Sequence, residues 1–157
     1  MRKTLLAATF ALVATLVPVA GSGAAGGSST INVLEVQNPA KDRFVDLNHN
    51  QRPDVGDVFM GTSDLYWWAG SKRGARAGRL EAMCTLAAEA AGHCQATAYL
   101  PAGSIQLQGY VSFASSTVRV AIVGGAGRYA GARGTFSSRN IGGENSGNSA
   151  DSFSLLP

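Results

Sequence analysis

The segment AIVGGAGRYAGARG (residues 121–134) is the most specific stretch of this sequence. Within it, Gly125, Gly127 and Ala130 spell G-x-G-x-x-A, the dinucleotide-binding fingerprint, directly after an apolar run that is typical of a β-strand. Such a fingerprint binds a pyrophosphate only when a helix begins at the glycines. The residues that follow, GARGTFSSRNIGGENSG, have no helical periodicity. We therefore predict a tight glycine turn between two strands, where a side chain would approach neighbouring backbone too closely, and no nucleotide site.

Strand-like segments recur on both sides of this turn. Apolar or alternating stretches are separated by clusters of Gly, Pro, Ser and Asn, as in NPAKD, NQRPDVG and LPAGS. About eight strands at this short spacing predict an all-β domain, either a sandwich or a barrel. The clearest segments are residues 31–37, 57–68, 104–113, 117–123, 131–141 and 151–156.

The two cysteines lie in a stretch whose alanines also suit a helix, residues 79–94, but its apolar residues alternate instead of recurring at helical spacing. One antiparallel register pairs Cys84 with Cys94, Ala82 with Ala96 and Leu80 with Ala98. This agreement predicts a hairpin with its loop near residues 88–92 and a Cys84–Cys94 disulfide. In the chain-entropy model a bridge over so short a loop adds about 3 kcal/mol of stability.

The first 25 residues have the composition of a signal peptide. Arg2 and Lys3 precede an apolar run at residues 5–17, and small residues offer cleavage positions between Ala20 and Ala25. The run is shorter than the about 20 apolar residues that cross a bilayer, and no later stretch is long or apolar enough to do so. We expect a secreted, extracellular protein whose mature domain, residues 26–157, has no membrane attachment.

The charge of the mature domain argues against nucleic acid as a partner. Losing Arg2 and Lys3 with the signal peptide lowers the formal net charge from +3 to +1, which provides no general attraction to phosphates. The remaining basic cluster, SKRGARAGR (residues 71–79), has glycines between its charges and predicts a solvated hairpin loop.

The segment DLNHNQRPDVGD (residues 46–57) leaves two alternatives open. Its oxygen-bearing side chains fall at EF-hand positions, namely Asp46, Asn48, Asn50, Asp54 and Asp57. Gln51 stands where an EF-hand has glycine, Pro53 interrupts the loop, and neither flank is helical. The segment is either a calcium loop or a turn between strands that needs no ion. We commit to no metal here and to no cofactor elsewhere in the chain.

Glu35 is the candidate catalytic residue that the strand pattern raises. It lies in INVLEVQ on the same face as Val33 and Gln37. Pointing into a barrel, this carboxylate would need a partner, and a raised pKa would suit it to acid–base chemistry or stabilisation of a cation. Pointing outward, it would simply be solvated. Tyr66 and Trp68 share one face of a later strand, where they form core or line a ligand cavity.

With the strands laid out, the chain resembles the allene oxide cyclase-like barrels from about Ile31 to its C-terminus, and more distantly the plant dirigent proteins. The resemblance follows VLEVQ, Gly56–Asp57, SDLY, Cys84 in MCTL, QATAYL, GSIQLQG and the glycine segment, in that order. The dirigent proteins share mainly the glycine segment with Arg133.

The resemblance implies a single eight-stranded antiparallel barrel with an apolar lumen, of the calycin type. By position Glu35 matches the glutamate that assists ring closure in the plant cyclases, and Gln37 matches a cyclase asparagine. Cys84 matches the family cysteine, although its pairing with Cys94 departs from the pattern. Tyr110 lies near a cyclase tyrosine but out of register with it. We assign Glu35 and Gln37 to catalysis and Tyr66, Trp68 and Tyr110 to ligand binding.

These features predict a secreted barrel that binds a small hydrophobic molecule and promotes its cyclisation or isomerisation without a cofactor. The plant cyclases form trimers, so the resemblance also implies a homo-oligomer. Two other functions are compatible with the sequence: a non-catalytic carrier or scavenger of such a molecule, and a structural or surface-interaction barrel with a filled lumen. An open cavity with Glu35 in its wall would favour the first two, and a filled lumen the third.

Overall fold

The strands of the barrel account for most of the chain in the computed structural model, which describes residues 28–142 and 146–157. The predicted signal peptide lies outside these residues. The strands are β1 (Ser29–Gln37), β2 (Arg43–Val45), β3 (Val58–Ala69), β4 (Lys72–Ala88), β5 (Ala91–Leu100), β6 (Gly103–Ser112), β7 (Thr117–Gly127), β8 (Gly134–Ile141) and β9 (Asn148–Leu155). The helix Pro39–Lys41 is a single 3₁₀ turn. In the described part of the chain, no helix has the length and apolarity that crossing a membrane requires.

A continuous antiparallel sheet closes on itself through strand β1. Each strand from β3 to β9 pairs with the next, while β1 pairs with both β9 and β3. The predicted all-β, eight-stranded antiparallel barrel is therefore confirmed, and β2 is an additional strand. It lies along β3 beyond the end of β1, since Gln37 stands opposite Ser63 and Arg43 opposite Met60.

The β4–β5 hairpin has the predicted register. Cys84 pairs with Cys94, Ala82 with Ala96 and Leu80 with Ala98, and the two cysteines form a disulfide with an S–S distance of 2.03 Å. The alternation of small apolar residues thus outweighs the helix propensity of the alanines, because it buries one whole face against the barrel interior.

The basic cluster at residues 71–79 was predicted to be a solvated hairpin loop, and this prediction is wrong. All but its first residue belong to β4, which pairs with β3 through two register shifts, and the chain reverses at Gly70 and Ser71. Its guanidinium groups lie on the outer surface, where Arg76 pairs with Asp64 at 2.6 Å and Arg79 with Glu81 at 2.7 Å. Bulges let a glycine-containing strand bend without leaving the sheet, which the charge pattern alone does not reveal.

The glycine segment forms the predicted turn between two strands. A Cβ on Gly125 would lie 2.4 Å from the carbonyl oxygen of Tyr129 and 2.5 Å from that of Ser104. Gly134 has a φ of +146°, and a Cβ there would lie 2.0 Å from the Ser154 carbonyl oxygen. The turn also places the Tyr129 ring against the hydrophobic core, so it covers one end of the barrel.

The barrel interior divides into a packed half and an open half. The packed half lies beneath the glycine turn and contains the largest fully buried side chains, Phe153, Leu65, Ile105 and Val33. The open half lies at the opposite end, where the β4–β5, β6–β7 and β8–β9 connections meet the 3₁₀ turn.

Candidate active site

A cavity of about 810 Å³ occupies the open half of the barrel. Phenylalanine side chains supply its aromatic surface, and the core residues Leu80, Leu107 and Phe136 form its floor. Among the described residues that line it, the charged side chains are Glu35 and Glu89, with no Lys, Arg or His. The phenylalanines are Phe44, Phe59, Phe113 and Phe136. The arrangement suits an apolar molecule that presents a polar group to Glu35.

Strand β1 positions Glu35 at the boundary between the two halves. Val33, two residues earlier on the same face, is fully buried in the core, whereas Gln37, two residues later, lies exposed at the cavity mouth. Alternation along the strand therefore turns the Glu35 carboxylate inward. Of the two orientations that the sequence allowed, the structure has the one that faces the lumen.

Two side chains of β9 bring a second carboxyl group to Glu35. Ser149 stands directly opposite Glu35 in the sheet, and its hydroxyl contacts Glu35 Oε2 at 3.2 Å and Asp151 Oδ1 at 2.8 Å. Asp151 is only 2% exposed. Burial, followed by the negative charge of Glu35 and a hydrogen bond with it, raises the pKa of Asp151 well above its usual value, although the Ser138 and Ser149 hydroxyls offset part of this.

The sequence matches the family described as allene oxide cyclase barrel like domain over residues 34–153, which is most of the chain. The chain belongs to the allene oxide cyclase-like barrel family. A comparison with curated proteins finds no significant match.

Solved structures of the same fold include a pyocyanin demethylase, with 19% identity and a TM-score of 0.63 over 80% of this chain and 99% of that protein. An exo-specific intermolecular Diels-Alderase has 21% identity and a TM-score of 0.61, covering 83% of this chain and 98% of its own. A pterocarpan synthase dirigent protein has 13% identity and a TM-score of 0.64, covering 82% and 83%. At these identities the likeness establishes the fold.

In this allene oxide cyclase-like barrel, the tyrosines and tryptophan predicted to bind ligand lie away from the cavity. Tyr66 and Trp68 alternate with the buried Leu65 on β3, and the Arg73 guanidinium stacks on the Tyr66 ring at 3.4 Å. The Tyr110 ring is half exposed and contacts His93 edge-on. The structure thus brings together Glu35 and Gln37 but none of these three aromatic residues, whose predicted role in ligand binding has no support from their position.

Asp151 and Ser149 are site residues that the sequence reasoning missed. Both lie in NSADSFSL on the same strand face as Phe153, just as Glu35 shares a face with Val33. The pattern of an acidic residue that shares a strand face with an apolar residue could therefore have identified Asp151 as a candidate inward-facing residue, as it did Glu35. Arg133 of the dirigent-like segment has a structural place, since Nη1 donates to the Val123 and Ala132 carbonyl oxygens at 3.0 and 2.8 Å.

The loop at residues 46–57 is closed largely by its own hydrogen bonds. Asp57 accepts from the Leu47 and Asp54 N–H groups, and Asp54 Oδ2 accepts from the Asn48 amide at 2.7 Å. One buried oxygen on each of Asp46 and Asp54 has no partner in the described residues, yet no group of three or more His, Cys, Asp or Glu there could hold a metal ion. Calcium binding stays the untested alternative to the predicted turn without an ion, and thermal unfolding in calcium against EDTA tests it.

Proposed function

We propose that this protein binds a small hydrophobic molecule in the barrel lumen and promotes its cyclisation or isomerisation. The observation that carries the proposal is the position of Glu35, which presents a carboxylate to an open cavity whose floor and much of whose wall are apolar. A purely structural barrel would have a lumen filled by its own side chains. In the barrel formed by residues 28–142 and 146–157, one half of the lumen is open instead.

Confinement and electrostatics would supply the rate enhancement. A flexible apolar substrate enclosed by Phe44, Phe59 and Phe113 loses most of its extended conformers, so the reacting atoms stay close together. The Glu35 carboxylate would stabilise positive charge that develops during ring closure, or move a proton between two positions of the substrate. Where a bound substrate displaces water from the cavity, this electrostatic contribution is larger than it would be in solution.

Proteins of the same fold support this function by analogy. One protein of this fold is a Diels-Alderase, an enzyme type that forms a ring. Another is a dirigent protein described as a pterocarpan synthase. Likeness at this identity transfers the fold and leaves the substrate of the present protein to experiment.

We place this reaction outside the cell and assign residues 1–25 as the leader and residues 26–157 as the mature domain. The Cys84–Cys94 disulfide supports this location, because such bonds persist in oxidising compartments. Assembly into a trimer, which the family resemblance implies, is part of the same proposal and is measurable by light scattering of the mature protein.

The Glu35→Gln variant tests the catalytic role. Mass spectrometry of apolar molecules that co-purify with the mature, disulfide-bonded protein identifies the ligand, whose turnover is then followed by chromatography. We expect Glu35→Gln to abolish turnover while the neutral probe N-phenylnaphthylamine still binds. Glu89→Gln, which changes the other carboxylate of the wall at an exposed turn, is the matched control and should retain turnover.

Three results would each contradict part of the proposal. Unchanged turnover in Glu35→Gln would remove Glu35 from the mechanism. Binding without turnover in the native protein would identify a carrier. A protein that binds neither the co-purifying molecules nor the probe would be a structural barrel.

A further inference from the structure

Asp151 is a deeply buried acid on the inward face of β9, between Ser149 of the cavity wall and Phe153 of the core. In the sheet it stands opposite Val33 of β1 and Ser138 of β8, so it lies where the packed core meets the open half. Its Oδ1 contacts the Ser149 hydroxyl at 2.8 Å, whereas Oδ2 is buried without a hydrogen-bond donor among the described residues. An ionised carboxylate with one oxygen unsatisfied in this position would be costly.

The single hydroxyl that contacts both carboxyl groups cannot serve both of them if both are ionised. Ser149 contacts Glu35 and Asp151 but carries one hydroxyl hydrogen, which cannot satisfy both acceptors. A proton on Asp151 relieves this, because the protonated acid can donate a hydrogen bond to the neighbouring Glu35 carboxylate. Asp151 is the better holder of this proton, since Glu35 borders an open cavity and Asp151 is 2% exposed.

We infer that Asp151 is a neutral acid that positions Glu35 as an ionised carboxylate, so that the cavity takes neutral or cationic apolar molecules and rejects apolar carboxylates. The inference rests on the proposed function in one respect, namely that the lumen is the binding site. With Asp151 neutral, the pair of Glu35 and Asp151 carries a single negative charge, on Glu35. Glu89 adds a negative charge at the mouth, and no cation lines the wall in the described residues.

Glu35 is the charged acceptor among the groups packed around Asp151. Glu35 and Val33 face it from β1, Ser138 from β8, and Ser149 from its own strand. Glu35 is the ionisable side chain in this set, and it is also a cause of the raised pKa of Asp151. Asp151 is therefore a positioning residue, and Glu35 is the group that meets the ligand.

A matched series of compact ligands tests the charge preference. Naphthylmethylamine, naphthylmethanol and naphthoate share one ring system and differ in the charge of the polar group. Each displaces N-phenylnaphthylamine from the mature protein at about pH 7, where the amine is a cation and the carboxylate an anion. We expect naphthoate to bind at least about tenfold more weakly than the amine, because a like charge beside Glu35 is unfavourable.

The variants assign this preference to the carboxyl pair. Glu35→Gln should reduce the difference between amine and naphthoate to about threefold or less, since the like charge beside naphthoate is then removed. Asp151→Asn should keep it, because the amide still donates to Glu35. Equal affinities for amine and naphthoate in the native protein would overturn the inference. Absence of binding by all three compounds and the probe would instead refute the proposed function.

Infrared spectroscopy locates the proton whether or not a ligand binds. We expect the carbonyl stretch of a protonated carboxyl group at about pH 7 in the native protein and in Glu35→Gln, and its loss in Asp151→Asn. A band that disappears in Glu35→Gln and persists in Asp151→Asn would place the proton on Glu35 and overturn the inference. So would a native protein that shows no such band.

Discussion

Asp57 and Asp151 show how neighbours decide the protonation of buried carboxyl groups of the same type. Asp57 is 1% exposed and accepts from two backbone N–H groups, Leu47 at 2.9 Å and Asp54 at 3.0 Å, which lower its pKa. Asp151 is buried to a similar extent, but it faces Glu35, and both burial and that charge raise its pKa. Donors favour the ionised form of an acid, whereas a second carboxylate opposes it.

Asp57→Asn tests the first of these two effects. Because the pKa of Asp57 is lower in the folded protein, ionised Asp57 stabilises the fold above the unfolded-state value of about 3.9, and this contribution disappears as the pH falls through the folded-state pKa. We expect the variant to have a lower Tm than the native protein at about pH 7 and a smaller Tm deficit at about pH 3. The measurement is thermal unfolding followed by circular dichroism across this range. A deficit of the same size at both pH values would contradict the assignment.

At the residue scale, the sequence identifies Glu35 as a candidate site residue but does not identify its partner, Asp151. The alternation of INVLEVQ predicted that Glu35 shares a face with Val33, which the structure confirms. Which face points inward, and which carboxyl group lies across the sheet, depends on the pairing of β1 with β9. That pairing joins residues 114 positions apart, as between Glu35 and Ser149.

Among the elements, the β4–β5 hairpin was predictable in detail because its signals are local. Its register, its disulfide and its turn all follow from alternation within about twenty consecutive residues. The basic segment before it was assigned wrongly to a loop. Glycines and arginines that alternate on a solvent-facing strand look like a loop in composition, and the pairing with β3 that makes it a strand is not visible in the segment itself.

Removing the disulfide measures what it contributes to the hairpin. The loop it closes spans a sequence separation of 10 residues. We expect the double variant Cys84→Ser, Cys94→Ser to unfold with a free energy about 3 kcal/mol lower than that of the native protein. Chemical denaturation measures the difference, and the native protein in reducing agent is the control that should match the double variant. A loss below about 1 kcal/mol would show that the sheet alone holds the hairpin.

At the scale of the whole molecule, the barrel holds a packed core at one end and a cavity at the other. The glycine turn covers the packed end with Tyr129, and no comparable plug is found at the open end within the described residues. Glu35 and Asp151 lie at the boundary, where a carboxylate can meet both a ligand and a buried partner. Stability and binding can therefore be changed separately by substitutions in the two halves.

Filling the open half should block binding without disturbing the packed half. Val118 of β7 lines the cavity, whereas the next residue, Arg119, is exposed on the opposite face of the strand. We expect Val118→Trp to weaken binding of N-phenylnaphthylamine at least about tenfold, because the indole occupies the ligand volume. Arg119→Trp adds the same side chain outside the barrel and should bind like the native protein. Equal binding by both variants would place the binding site outside the lumen.

The sequence alone was sufficient for the features that rest on neighbouring residues. These are most of the strand positions, the face that Glu35 shares with Val33, the glycine turn and the register of the cysteine hairpin. The alternation of apolar and polar residues along a strand, and the residue types that favour turns, both depend on a few neighbouring residues. They can therefore be recognised within a single segment. Closing the barrel was needed for everything that joins distant segments. Because closure sets β1 beside β9, it alone brings Asp151 to Glu35, turns Glu35 toward the lumen, and leaves one end of the barrel open.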